Sequence, residues 1–294
     1  MKKLILLTFL ILISFVTCHK DDDSSTKNRN NLLALYVIDQ TSGNCAMITK
    51  GSSSSYTAVG YAVPKGGCNE ATLGPEYTTD KNIAKQKSDA YFDAIISVYI
   101  STGPVCNTPK TFIELLKTQI TADSIANQAS SSSTGCSPVA ANKLVYCKDQ
   151  TSVDIDKNKT RYVTIGSVKE AMKSSYEATV TELKAFANQT TGFTDANIAL
   201  LQPLGPEELK VQSSIENFAY LFSFSSSSAC AKAIADKNKN PSLYSFLLKQ
   251  SGKLFDPDAD VSKIIPVTYI SCGYGSGFTE STTTKKCDQA FEEF

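Results

Sequence analysis

Apolar side chains recur every three or four residues in four segments of the chain, which is the spacing of one face of an α-helix. The longest segment predicts a helix over residues 167–188. In another segment, Pro206 and the two glutamates after it are typical of a first helical turn. The four stripes are Val168, Met172, Tyr176, Val180, Leu183 and Phe186; Val211, Ile215, Phe218 and Phe222; Tyr91, Ile95 and Val98; and Phe112, Leu116 and Ile120. Helices therefore make up most of the predicted secondary structure.

Short β-branched or aromatic runs bounded by Gly, Pro or Asp are typical of strands. The chain contains four such runs: Tyr56–Val63, Lys143–Cys147, Arg161–Ile165 and Pro266–Ser271. Because these runs are few and short beside the helical segments, we predict a fold that is mainly α with minor β.

The chain begins with a basic residue pair and an apolar segment. Lys2 and Lys3 precede a nearly continuous apolar run from Leu4 to Val16. A membrane span needs about 20 apolar residues, so this run is too short to cross a bilayer. Its length and its basic flank fit the apolar region of a secretory signal peptide. We therefore assign residues 1–17 to a signal peptide and exclude them from the fold.

The four residues Phe15-Val16-Thr17-Cys18 resemble the lipobox of bacterial lipoproteins, in which a bulky apolar residue and two smaller ones precede an invariant cysteine. Thr17 stands where Gly, Ala or Ser is usual, and it resembles the relaxed motif of spirochaetes. The acidic and Ser- and Asn-rich stretch up to Asn31 is similar to that of leptospiral lipoproteins. The resemblance implies that Cys18 becomes the first mature residue and is acylated by fatty acids such as palmitate. A secreted protein cleaved elsewhere and a retained helical anchor are the alternatives.

An acylated Cys18 would anchor the protein to a membrane, because two or more acyl chains bind stably where one binds reversibly. Residues 18–31 are rich in Asp, Ser, Asn and Lys and contain no large apolar side chain. Such a segment cannot bury enough surface to offset its chain entropy, so we expect a disordered tether. The only histidine, His19, lies in this tether. Residues 32–294 then form a single, mostly helical, disulfide-rich domain.

Eight cysteines remain after Cys18, and an even number in an exported chain predicts four disulfides. None of them forms a CxxC pair or has a histidine nearby, which argues against a metal or redox site. Neighbouring cysteines could close short loops, although eight cysteines allow 105 pairings. Five lie in residues 32–150 and three in residues 160–294, so at least one bridge must join the two halves. The eight are Cys45, Cys68, Cys106, Cys136, Cys147, Cys230, Cys272 and Cys287.

Charge and motif content exclude several classes of function. Formal net charge is zero, with 29 basic and 29 acidic side chains, and the chain has no strongly basic cluster, so we expect no nucleic-acid partner. Without a histidine in the folded part, Ser-His-Asp and Cys-His catalytic sites cannot form there. Acidic stretches at residues 154–158 and 256–262 lack the glycine and the final glutamate of a calcium loop. We therefore predict no catalytic residue, no metal ligand and no cofactor.

These observations predict a cell-envelope lipoprotein, on the outer membrane or on the periplasmic face of a membrane. We expect it to act by binding or scaffolding, with the membrane as one partner and a protein or host ligand as the other. The alternative is an exported hydrolase that uses two carboxylates alone, as glycosidases do. No carboxylate pair stands out along the chain, but two carboxylates facing each other in a cleft would favour this alternative.

Overall fold

A computed structural model describes residues 42–187, 194–206, 209–210, 213–224, 226–238, 266–281 and 284–294. The predicted signal peptide at 1–17, the predicted tether at 18–31 and Cys18 itself lie outside the described residues. About 50% of the described chain is helical and 22% is in strands, and the strands form three sheets. The prediction of a mainly α fold with minor β is therefore wrong, because the chain has an α+β architecture.

Ten strands and ten α-helices have the following bounds in the described part of the chain. The strands are β1 Ser42–Lys50, β2 Tyr56–Pro64, β3 Glu76–Thr78, β4 Cys136–Pro138, β5 Leu144–Cys147, β6 Thr160–Ile165, β7 Gln202–Pro203, β8 Val267–Thr268, β9 Ile270–Tyr274 and β10 Lys285–Lys286. The helices are α1 Glu70–Leu73, α2 Lys81–Thr102, α3 Asn107–Gln119, α4 Ala122–Ser131, α5 Gln150–Lys157, α6 Val168–Ala171, α7 Lys173–Ala187, α8 Asp195–Ala199, α9 Ile215–Phe224 and α10 Ser228–Asn238.

The largest sheet has five strands in the order β10-β9-β2-β1-β6. Its longest strand pair is the antiparallel hairpin of β1 and β2, and β6 and β9 add antiparallel on either side. The strands predicted from the sequence include β2 and β6, and the predicted run Pro266–Ser271 covers β8 and the first two residues of β9, but β1 was not predicted. This strand is rich in small and polar residues, which have a low intrinsic preference for β structure. Hydrogen bonds to neighbours on both sides nevertheless hold β1 in the sheet.

The two faces of this sheet have different surroundings. One face carries Ala46 and Ile48 of β1, which pack against α6 and α7 in the largest apolar cluster. Gly60 of β2 allows this close packing, since a Cβ atom there would lie 2.4 Å from Cγ1 of Val168. The predicted helix over 167–188 is present, but it is broken at Met172 into α6 and α7.

The other long helices pack together around α2. Asp80 caps the start of α2 by accepting the amide of Asn82 at 2.7 Å, and Gly103 ends it with a φ of 113° that favours glycine. The apolar residues that α2 buries against α9 and α10 include Phe92, Ile95 and Tyr99. The stripe Tyr91, Ile95 and Val98 therefore identified this helix, although Tyr91 and Val98 are only partly buried and their neighbours Phe92 and Tyr99 are fully buried. In the fourth stripe, Phe112 is 47% exposed.

A smaller sheet in the order β3-β5-β4 lies against α2 and α4. β3 pairs with β5 in parallel, and β4 pairs with β5 antiparallel. α5 then leads from this sheet directly into β6 of the larger one. The two sheets therefore meet around the segment from α5 to β6. Among the described residues, no helix has both the length and the apolar composition needed to cross a membrane.

All eight predicted disulfide cysteines are paired. The bridges are Cys45–Cys68, Cys106–Cys230, Cys136–Cys147 and Cys272–Cys287. The prediction of four disulfides is confirmed, as is the prediction that one bridge joins the two halves of the chain. Cys106–Cys230 is that bridge, and it ties the segment before α3 to α10.

We expect the long-range bridge to stabilise the fold most. Cys106–Cys230 closes a separation of 124 residues and Cys136–Cys147 one of 11, and the chain-entropy model gives about 5 and about 3 kcal/mol respectively. Double Cys→Ala variants of each pair, compared by urea unfolding followed by circular dichroism, should differ by about 2 kcal/mol. An equal or larger loss from the Cys136–Cys147 variant would contradict this ranking.

Candidate functional site

A cleft of about 760 Å³ opens where the larger and smaller sheets meet. This volume lies in the range typical of ligand-binding pockets. The lining comes from β1, β6, the smaller sheet, α1 and the end of α5. The lining residues are Met47, Thr49, Cys68, Asn69, Glu70, Leu73, Pro75, Tyr77, Pro138, Val139, Ala141, Lys143, Leu144, Val145, Asp156, Lys157, Asn158, Thr160, Arg161 and Tyr162.

Strand register determines which side chains of the larger sheet reach the cleft. Met47 of β1 lies directly opposite Tyr162 of β6, and Thr49 lies opposite Thr160. Cross-strand partners share one face of a sheet, so these four side chains form one wall. This is the face opposite the one covered by α6 and α7, because side chains alternate along a strand.

α1 covers one end of the cleft, and local bonds hold it in place. Asn69 caps this helix by accepting the amide of Thr72 at 3.0 Å, and its own side-chain amide donates to the carbonyl of Gly66 at 2.6 Å. Cys68, the residue before the cap, is bridged to Cys45 of β1. The disulfide therefore joins the helix that bears Glu70 to the sheet that bears Tyr162.

Two carboxylates and a lysine surround the ring of Tyr77 at the rim of the cleft. The Tyr77 hydroxyl donates to Oδ2 of Asp156 at 3.1 Å. Nζ of Lys157 lies 2.9 Å from Oε1 of Glu70 and 5.4 Å from the centroid of the Tyr77 ring. This arrangement places a cation over an aromatic face and an acceptor at its hydroxyl.

The environment of the cleft raises the pKa of its two tyrosines. Burial raises the pKa of Tyr77 well above its usual value, and the carboxylates of Asp156 and Glu70 raise it further. Burial also raises the pKa of Tyr162, with an added contribution from the charge of Glu70. Both phenols are therefore neutral hydrogen-bond donors at physiological pH.

Lys143 and Arg161 also line the cleft, although Arg161 lies opposite Ile48 in the register, so its side chain points to the other face of the sheet. Nζ of Lys143 donates to the carbonyl of Thr72 at 3.1 Å. Arg161 donates through Nη1 to the carbonyls of Asn158 and Thr160, at 3.2 and 3.0 Å. Its guanidinium carbon also lies 4.5 Å from the ring centroid of Phe294. The cleft thus combines an apolar wall with charges of both signs, a combination suited to orienting a polar ligand on an apolar surface.

Tyr56 holds Phe294, the residue that packs on Arg161, in position. The Tyr56 hydroxyl donates to the main-chain oxygen of Phe294 at 2.6 Å, and the two rings lie 5.2 Å apart. Lys50 also donates to this oxygen. Phe294 is therefore held in place where it packs on Arg161, on the face of the sheet opposite the cleft.

The sequence analysis missed the cleft residues because no local signal marks them. Glu70, Tyr77, Asp156 and Tyr162 lie in four different elements of the chain and belong to no shared motif. The acidic stretch at 154–158 forms the end of α5 rather than a loop, and Asp154 accepts from the side chain of Gln150 at 3.0 Å. The stretch at 256–262 lies outside the described residues. Within the described part of the chain, no group of three His, Cys, Asp or Glu side chains could hold a metal ion.

The chain matches no protein-family model, no curated protein and no solved structure.

The pairing of Tyr77 with Asp156 has a measurable consequence. In an Asp156→Asn variant, we expect Tyr77 to ionise at a lower pH than in the native chain, because the variant removes a nearby negative charge and leaves only a neutral amide oxygen to accept the phenol proton. Ultraviolet titration of tyrosinate, with Tyr77→Phe to identify the signal, measures this shift. Asp154→Asn on the same helix is the matched control and should leave the titration unchanged. If both variants lowered the pH at which Tyr77 ionises by the same amount, the contact between Tyr77 and Asp156 would be refuted.

Proposed function

We propose that the protein is a lipid-anchored protein of the cell envelope that acts by binding a ligand in the cleft. Cys18 would carry the acyl chains, and the domain that begins near Ser42 would carry the binding site. The proposal joins two independent features: the lipobox-like sequence at the start of the chain and the cleft between the two sheets.

The pairing of the cysteines is the observation that carries this proposal. The chain has nine cysteines, and the four disulfides use eight of them, which leaves Cys18 as the remaining one. Disulfides form and persist in oxidising compartments, so four of them support export. The cysteine that remains is the one that the lipobox-like motif places at the cleavage site.

The cleft supports binding as the activity of the exported domain. It is concave and partly apolar, and its polar groups are fixed by bonds within the protein. Asp156 holds the Tyr77 hydroxyl, and Lys157 pairs with Glu70. Such a preformed site loses little conformational freedom when a ligand binds.

Replacement of Cys18 tests the anchor. In cells labelled with palmitate, we expect the native chain to incorporate label and to enter the detergent phase on phase partition, and Cys18→Ser to do neither. Globomycin should also cause the native precursor to accumulate. His19→Ala is the matched control, since it changes the adjacent side chain and leaves the acylated sulfur in place. Unchanged labelling in Cys18→Ser, or a precursor size unaffected by globomycin, would disprove the anchor.

A carboxylate-based hydrolase is the second candidate, because Glu70 and Asp156 line the same cleft and both act on the pKa of Tyr77. Hydrolysis by two carboxylates requires both groups. If the protein is a hydrolase, Glu70→Gln and Asp156→Asn should each abolish the cleavage of a panel of chromogenic glycosides while the fold is retained. If the protein only binds, the native chain should not cleave any of them. Activity that survives in both variants would show that these carboxylates are not the catalytic pair.

A further inference from the structure

We propose that the outer edge of β6 binds an extended polypeptide segment of a partner protein, which adds to the larger sheet as a further strand beside the cleft. This inference rests on the proposed function, because it names the chemical class of ligand for the same site. The main-chain groups of β6, the residues of its edge and the side chains of the cleft all favour such a ligand.

β6 is a terminal strand of the larger sheet, and no strand among the described residues pairs with its outer side. It contains six residues, Thr160–Ile165. The edge of a strand exposes main-chain donors and acceptors, and these are the groups that another strand satisfies.

The register with β1 shows which main-chain groups face outward. The amide of Lys50 donates to the carbonyl of Lys159 at 2.8 Å. In antiparallel pairs, hydrogen-bonded and non-hydrogen-bonded positions alternate, so Arg161 and Val163 also direct their main-chain groups toward β1. The residues between them, Tyr162 and Thr164, direct their amides and carbonyls away from β1. No described residue bonds to these outward groups of Tyr162 and Thr164.

The edge of β6 has few of the features by which proteins normally prevent strand addition: its one charged residue is Arg161, which donates to the outward carbonyl of Thr160. Terminal strands are often very short or carry lysine or proline, which discourages pairing with another chain. β10, at the opposite end of the sheet, fits this description because it consists only of Lys285 and Lys286. β6 is three times as long, and its sequence Thr-Arg-Tyr-Val-Thr-Ile contains neither lysine nor proline. Its β-branched and aromatic residues favour an extended strand.

The cleft would receive side chains of the added strand. Thr160 and Tyr162 of β6 line the cleft, so alternate residues of a strand paired with β6 would point into the same space. The space contains an apolar wall that includes Leu73, Val139 and Leu144, with the Glu70–Lys157 ion pair at the rim. We therefore expect a segment with apolar or aromatic residues at alternate positions.

Selection of peptides and backbone methylation test the proposal together. The full mature chain carrying Cys18→Ser would be screened against a library of random peptides of ten residues. We expect selected peptides to carry apolar residues at alternate positions. In a strand paired with β6, only every second peptide amide donates to β6. Methylation of one of these nitrogens removes about one hydrogen bond and should weaken binding about tenfold, whereas methylation of the nitrogens between them should have little effect. Hydrogen exchange of Tyr162 and Thr164 amides should slow when the peptide binds.

A variant of the edge supplies a second measurement. Thr164→Pro removes one outward amide from the exposed strand, and Thr164→Val is the matched control that keeps this amide. We expect a loss of about tenfold in peptide affinity for the proline variant and little change for the valine variant. Circular dichroism would establish that both variants fold, and the methylated peptides test the same bonds in the native chain.

Four results would overturn the inference. Selected peptides whose affinity is insensitive to main-chain methylation would show that they do not bind as a strand. A concentration-dependent dimer that buries the β6 amides would show that the edge pairs with a second copy of the chain. Failure of all peptides, while a fragment screen finds small molecules that protect Tyr162, would reject the peptide class and leave the proposed binding function intact. Failure of both screens would reject the binding function as well.

Discussion

The pairing of β1 between β2 and β6 is the interaction on which the rest of the structure depends. Each residue of β1 has a partner in β2, and six of its positions also have a partner in β6. The alternation of side chains along β1 separates the apolar face under α6 and α7 from the face that borders the cleft. A shift of one residue would exchange the two faces and put Cys45 and Met47 under α6 and α7 in place of Ala46 and Ile48.

The cleft depends on this register and on two covalent connections. Tyr162 reaches the cleft because it lies opposite Met47, and Cys68 brings α1 to the same place through its bridge to Cys45. α5 carries Asp156 and Lys157 to the rim because it leads directly into β6. The binding surface is therefore a product of the sheet junction, and the disulfide keeps one of its walls from moving away.

Two independent features of the chain support the proposed function. At the scale of the whole chain, eight paired cysteines and one remaining cysteine support an exported protein held at a membrane. At the scale of the cleft, neutral phenols, a paired lysine and carboxylates lie beside the outer edge of β6, with which no described strand pairs. If the domain is tethered as proposed, such an edge would suit it to hold another polypeptide near the membrane, because main-chain bonds would provide affinity and the pocket selectivity.

The sequence by itself determined the signal-like start, the even set of eight cysteines, the need for one bridge between the halves and the positions of several helices and strands. These features depend on local composition, periodicity or simple counting. Only the tertiary structure decided that the fold is α+β, because β1 has little strand preference of its own and becomes a strand through bonds to distant neighbours. The same holds for Glu70, Tyr77, Asp156 and Tyr162, which carry no local motif and become a site only where two sheets meet.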